Sequence, residues 1–114
     1  MLSDDRDAGY LLDMLERARG VVRAVSNRTL EHYLGDEDLR MAIERRIEII
    51  GEAARRVSAE FQQAHPEIPW RKIIGQRNVL THDYGEILDD ILWDVATVSI
   101  PELISLLEPL VPCP

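Results

Sequence analysis

The sequence predicts an all-α protein, most simply an antiparallel up-and-down bundle of four to five helices. Three observations point there. Apolar residues recur at steps of three and four through most of the chain, the period of one buried helical stripe. No segment alternates apolar and polar residues with the β-branched enrichment of a strand. Glycine and proline are sparse, six of each, and breaks such as Gly35 and "HPEIPW" cut the chain into four or five helical segments.

In the first helix Leu11, Leu15, Ala18, Val22 and Val25 form the stripe. "SNRT" ends it, and "LEHYL", stopped by Gly35, adds a short turn of helix. Asp36 or Asp38 can cap the next helix by accepting from the free N–H groups of its first turn. Its stripe is Ile43, Ile47, Ile50, Ala54, Val57 and Phe61, and Glu44, Arg45, Arg46, Glu48, Glu52, Arg55 and Arg56 make a solvated face between. Gly51 in mid-helix, costing about 1 kcal/mol against Ala, suggests with Ala53 and Ala54 a second backbone close by. "HPEIPW" breaks this helix, and Pro69 suits the first position of the next, where its missing N–H is not needed. That helix reads "PWRKIIGQRNVLTHDY", ending or kinking at Gly85. A final helix carries Leu88, Ile91, Val95 and Val98; Pro101 bends or restarts it, and "ELISLLEPL" completes the chain.

With 114 residues, the chain has room for one core, so residues 1–114 are expected to form a single domain with its core over about 5–110. The composition is 46% hydrophobic but only 5% aromatic, so the core must be aliphatic. The net charge of −8 opposes phosphate backbones, and any work on nucleic acid needs a local positive site. A single cysteine, Cys113, cannot form an internal disulfide. The acidic start "MLSDDRDAGY" has no apolar signal region, and no apolar run reaches the roughly 20 residues of a membrane span. A cytoplasmic protein that does not enter membranes is expected.

"RNVLTHDYGE", residues 77–86, departs from the bland pattern. On a helical projection of residues 70–84, at roughly 100° per residue, Trp70, Ile73, Arg77, Leu80 and Tyr84 share one stripe. Arg77 thus takes a position meant for an apolar residue. Asn78, Thr81 and His82 flank it, and with Tyr84 they fill one polar sector. Burying an unpaired guanidinium costs several kcal/mol, so Arg77 needs either a carboxylate such as Glu48 or Glu52, or a cleft. Arginine with histidine suits a phosphate. The guanidinium matches phosphate oxygens and steadies charge growing in a transition state. Imidazole takes and gives protons near neutrality. One such pair makes half a site for RNA cleavage without a metal, and two copies across a two-fold axis would complete it.

R-x4-H followed by x-Y, late in an all-α chain of this size, resembles the HEPN superfamily, in particular the HepT-like toxins of prokaryotic toxin–antitoxin pairs. "RRIEIIGEAARRVS" and "HPEIPWRKIIGQRNVLTHDY" extend the likeness over roughly residues 5–110. The resemblance implies a homodimeric helical bundle with metal-independent endoribonuclease activity, using no cofactor and cutting mRNA or tRNA within a type VII-like system. It implies that Arg77 and His82 are the catalytic pair, with Asn78 and Thr81 as polar support. It also implies that Tyr84 is the tyrosine a cognate minimal nucleotidyltransferase antitoxin modifies with AMP, placing a bulky anion beside Arg77 and His82. After His82 this chain has Asp83 and "YGEIL" where many members have Gly and a "YFGID"-like run; Asp83 projects away from the polar sector.

His32, His65 and His82 lack metal-ligand spacing, and Asp89-Asp90 reads as a helix-start charge pair, so no metal site is expected. Arg71 and Lys72, with Arg77, are the local positive run near the motif, placed to guide RNA or simply solvated. The alternative function is a non-catalytic dimeric module that docks a nucleotidyltransferase.

Overall fold

Two long helices, closed against each other along most of their length, organise the molecule. The computed structural model describes residues 5–75 and 86–111. Along them run α1 (Asp5–Val25), α2 (Leu30–Gly35), α3 (Glu37–Arg56), α4 (Ala59–Ala64), α5 (70–75), α6 (Glu86–Asp94), a π-helical turn (Val95–Ser99) and α7 (Ile100–Leu107). No strand occurs among the described residues. The all-α bundle expected from the sequence is the fold observed.

The α1 and α3 helices run antiparallel, tied near both ends. At one end Asp7 bonds Ser58, just beyond α3. At the other, a Cβ added to Gly20 would stand 2.7 Å from Arg46 Nε, so the helix surfaces meet closely there. Asp7, Leu11, Met14, Ala18 and Val21, stepping by four and three, are each at most 1% exposed. The expected stripe was turned slightly from this one: Leu15 is buried, but Val22 and Val25 are only half covered. α1 packs against both α3 and α7, so its buried face is wide and centred on Met14 and Ala18.

Local chemistry ends and starts the elements. Asn27, at φ 60°, takes the left-handed conformation that asparagine tolerates and so closes α1. Thr29 and Asp36 cap α2 and α3, accepting from His32 N and Leu39 N. Arg40 donates to the Tyr33 and Leu34 carbonyls at the end of α2, where a cation suits the helix dipole.

Two expectations fail for physical reasons. The stripe Ile43–Phe61 was read as one helix, yet α3 stops at Arg56 and α4 begins after Ser58. Ser58 Oγ accepts from Phe61 N, starting a new helix, while the Asp7 carboxylate takes the Ser58 N–H at 2.9 Å and hydroxyl at 2.7 Å. Val57 and Phe61 stay buried across the break. In the last rod, Ile91 and Val98 are 49% and 56% exposed, and Leu92, Val95, Ala96, Ile100, Leu103 and Leu107 form the buried face instead. α6 already faces the core through Leu92, one position round from Ile91, and a π turn follows. Ile100 N donates to Val95 O, five residues back, inserting one extra residue before Pro101. The proline ring would otherwise press on the carbonyl four residues earlier.

The last rod runs antiparallel to α1: Trp93 packs on Tyr33, past the end of α1, at 5.4 Å between ring centroids. Fifteen residues on, Glu108 pairs with Arg19 in mid-α1. Ile73 and Pro69 of the α5 region line a small crevice with Ile47 and Ile50 of α3 and Ile100 and Leu103 of α7. α5 therefore enters the groove between α3 and α7.

Candidate active site

Arg77, Asn78, Thr81, His82 and Tyr84 lie outside the described residues, as does Cys113. What the structure describes is the frame from which the motif leaves and to which the chain returns.

The entry is firmly held. Phe61, His65 and Trp70 form an aromatic group, with Phe61 to His65 at 4.4 Å and Phe61 to Trp70 edge-on at 6.2 Å. The Trp70 indole N–H donates to the His65 carbonyl at 3.0 Å, giving a buried ring the partner its polar end needs. His65 Nδ1 stands 3.1 Å from a Glu67 carboxylate oxygen. The Glu67 carboxyl titrates below its ordinary value, first because its own backbone N–H bonds the carboxylate and then because of His65. Ile68 is 1% exposed and pins the loop from below. Pro69 supplies the first helical acceptor, to Ile73 N at 3.0 Å. It thus stands at the cap position, one residue earlier than expected, where a missing N–H again costs nothing.

Trp70 and Ile73 are buried on one stripe, as the projection placed them, while Arg71 and Lys72 are exposed. Neither cation has an ion pair among the described residues. They line a broad, shallow groove of about 850 Å³ with Gln62, Gln63, Pro66, Ile68, Pro69, Trp70, Ile74 and Gly75. Sequence spacing could not bring Gln63 and Pro66 to this place, because the break at Ser58 and the turn at "HPEIPW" are needed to fold α4 beside α5.

The carboxylates considered as partners for Arg77 have arginine partners on their own helix. Glu48 pairs with Arg45 at 3.0 Å, and Glu52 with Arg55 at 2.9 Å and Arg56 at 3.0 Å. Hydrogen bonds to Glu52 and then to Tyr10 hold Arg56 more firmly protonated than usual. Glu52 is thus half-buried within an ion network and not part of the purely solvated face expected. Among the described residues no three His, Cys, Asp or Glu side chains gather as a metal site, and no helix is long and apolar enough to cross a membrane.

Comparison with known proteins places this frame. The sequence profile of the family described as ribonuclease HepT-like matches residues 11–110. The chain belongs to the ribonuclease HepT-like family. Among curated HepT-like relatives, a protein named "Putative RNase" from Methanocaldococcus jannaschii is 32% identical over 94 residues, covering 82% of this chain and 86% of the relative. Another of that name, from Caldanaerobacter subterraneus subsp. tengcongensis, is 34% identical over 82% of this chain and 84% of its own. "Probable ribonuclease HepT" from Thermococcus cleftensis is 34% identical over 82% and 86%. No solved structure matches. The matched HepT-like span takes in the whole stretch 77–84, so the family assignment and the R-x4-H-x-Y motif fall on the same part of the chain.

Proposed function

We propose that this HepT-like chain is a metal-independent endoribonuclease, the toxin of a toxin–antitoxin pair, acting as a homodimer with Arg77 and His82 as its catalytic residues. The observation that carries the reading is the family match over residues 11–110, which encloses the motif; relatives named as RNases support it. Chemically, the 2′-oxygen of a ribose attacks the adjacent phosphorus as the bond to the 5′-oxygen breaks. One His82 imidazole takes the 2′-hydroxyl proton, and its two-fold mate protonates the departing 5′-oxygen. The Arg77 guanidinium steadies the charge on the pentacovalent phosphorus. The products are a 2′,3′-cyclic phosphate and a free 5′-hydroxyl. Asn78 and Thr81 hold the phosphate and the imidazole by hydrogen bonds.

Tyr84 is the switch. A cognate nucleotidyltransferase moves AMP from ATP to the phenol oxygen, releasing pyrophosphate, and the added phosphodiester fills and neutralises the site. Two measurements test the proposal. Unmodified protein should cleave RNA in excess EDTA, and His82→Ala should reduce this at least about a hundred-fold, within the usual range for losing a general acid–base. Cleavage that survives His82→Ala, or none by protein shown by mass to be unmodified, overturns the ribonuclease reading. Co-expression with the nucleotidyltransferase should add one or more AMP masses that Tyr84→Phe abolishes; an inactive, unmodified complex would instead mark a docking module.

A further inference from the structure

We infer that the groove between α4 and α5 is a binding track for single-stranded RNA. The inference rests on the ribonuclease reading for its biological sense, and on the groove's own chemistry for its occupant.

The chain carries 21 Asp and Glu against 13 Lys and Arg, so a surface free of carboxylates is not the average surface of this protein. Yet the described lining of the groove contains none: it offers Arg71 and Lys72 as charges, Gln62 and Gln63 as amides, and Pro66, Ile68, Pro69, Trp70 and Ile74 as apolar surface, with Glu67 on the bordering turn paired to His65 and Glu102 across the neighbouring crevice that Lys72 also lines. The contrast with α3 is direct. There the arginines at 45, 55 and 56 are each matched by Glu48 or Glu52; Arg71 and Lys72, like Arg17, Arg23 and Arg46, have no ion pair among the described residues, but they alone of these are adjacent and line a groove. Unmatched cations serve an anionic ligand better than they serve the fold, since their charge is free for phosphate.

The groove's shape and lining favour an unpaired strand. Gln62 is spent on structure, its amide donating to the Ala54 and Val57 carbonyls at 3.2 and 2.9 Å. This fixes one wall. Gln63, exposed next to it, is available to a base or ribose. Pro66 and Pro69 are exposed and Ile74 half-exposed along the floor, giving apolar surface against which base faces lie. Only unstacked bases can use such a surface, while Arg71 and Lys72 take the backbone phosphates. At about 850 Å³ the groove has the size of a small-ligand site, room for a few nucleotides. Gly75, two positions before Arg77 in the sequence, is among its lining residues.

The test uses the full-length His82→Ala protein, so that RNA is bound and not consumed, and a fluorescent single-stranded RNA of about ten nucleotides. Arg71→Gln with Lys72→Gln, in the same background, should weaken binding about ten-fold or more at 0.1 M salt. The slope of log K against log salt should fall by about 1.4, two phosphate contacts at roughly 0.7 each for single strands. Duplex RNA of equal length should bind more weakly than the single strand. Circular dichroism should show the double variant as helical and as stable as its parent. Unchanged affinity and salt slope in a folded double variant overturn the inference even if the wild type cleaves RNA, and so does loss of nucleotidyltransferase binding with RNA affinity intact. Groove-dependent binding by a protein that never cleaves upholds the track and removes the ribonuclease reading alone.

Discussion

A carboxylate 1% exposed persists in this core because it completes another element's bonds. Asp7 accepts from both the backbone N–H and the hydroxyl of Ser58, and Ser58 in turn caps α4 through Phe61 N. Asp7→Ala should cost about 3 kcal/mol, the scale of hydrogen bonds to a charged group, lowering the melting temperature by about 10 °C in a domain of this size. Ser58→Ala should cost about 1 to 2 kcal/mol as a lost cap. Their combination should fall short of the sum by at least about 0.5 kcal/mol, the sign of direct contact; additive losses in urea titrations would disprove the link. Glu67 gives a pH signature. Its carboxyl titrates below the ordinary 4.5, owing to its own backbone N–H and then His65. A group with a lowered folded value binds its proton more readily when unfolded, so its contribution is full above about pH 4.5 and disappears as pH falls through the folded value. Melting curves of Glu67→Gln should accordingly fall less steeply below pH 4.5 than those of the parent. Equal slopes would mean that neither the backbone N–H nor His65 holds the Glu67 carboxylate in solution.

At the scale of elements, the sequence pattern succeeded where one helix faces one neighbour, and failed where another chain segment intervenes. Thr29 and Asp36 could be anticipated as boundary residues because a cap acts locally, on N–H groups two or three positions away. The end of α3 could not, because Val57 and Phe61 continue the apolar period while the break is imposed by Asp7, fifty-one residues earlier. The last rod misled for a different reason. Leu88, Ile91, Val95 and Val98 keep a good helical period, but the rod buries Leu92, Val95 and Ala96, a stripe turned from the expected one, and the π turn adds a residue before Ile100. Deleting Val98, with Pro101→Ala to remove the steric reason for the wide turn, should convert Val95–Ser99 to an α-helical turn. Leu92 would stay in register with Ile100, Leu103 and Leu107. The protein should fold, with a stability change of about 1 kcal/mol or less, whereas deleting exposed Arg45 from α3 should turn half its stripe by roughly 100° and prevent folding. A deleted-Val98 variant as damaged as the α3 deletion would show that the packing of this rod requires the extra residue whether or not Pro101 is present.

For the whole molecule, what sequence could reveal about the site and what it could not divide along the same line. Arg77 and Tyr84 stood out on a stripe shared with Trp70, Ile73 and Leu80, of which Trp70 and Ile73 are buried, and His82 stood out on its polar flank. The groove at Arg71 and Lys72 stayed ambiguous, since solvated and ligand-binding cations look alike until Gln63 and Pro66 are folded beside them. The global charge then sets how RNA arrives. A net charge of −8 repels a polyanion over the Debye length, about 10 Å at 0.1 M salt and about 30 Å at 0.01 M. Contacts at the groove attract it only nearby. Salt should therefore act in two opposing ways: it weakens bound phosphates, raising the dissociation rate, but screens the repulsive far field, sparing the association rate. Glu16 in α1 and Asp94 in α6 are exposed and outside every ion pair found among the described residues. Glu16→Gln with Asp94→Asn, in the His82→Ala background, removes two negative charges. It should speed association of a single-stranded RNA about two-fold or more at 0.01 M salt, with little effect at 0.3 M and an almost unchanged dissociation rate. Stopped-flow fluorescence separates the two rates. An effect confined to dissociation would mean that these carboxylates touch the RNA, and the division between repulsive field and local track would have to be given up.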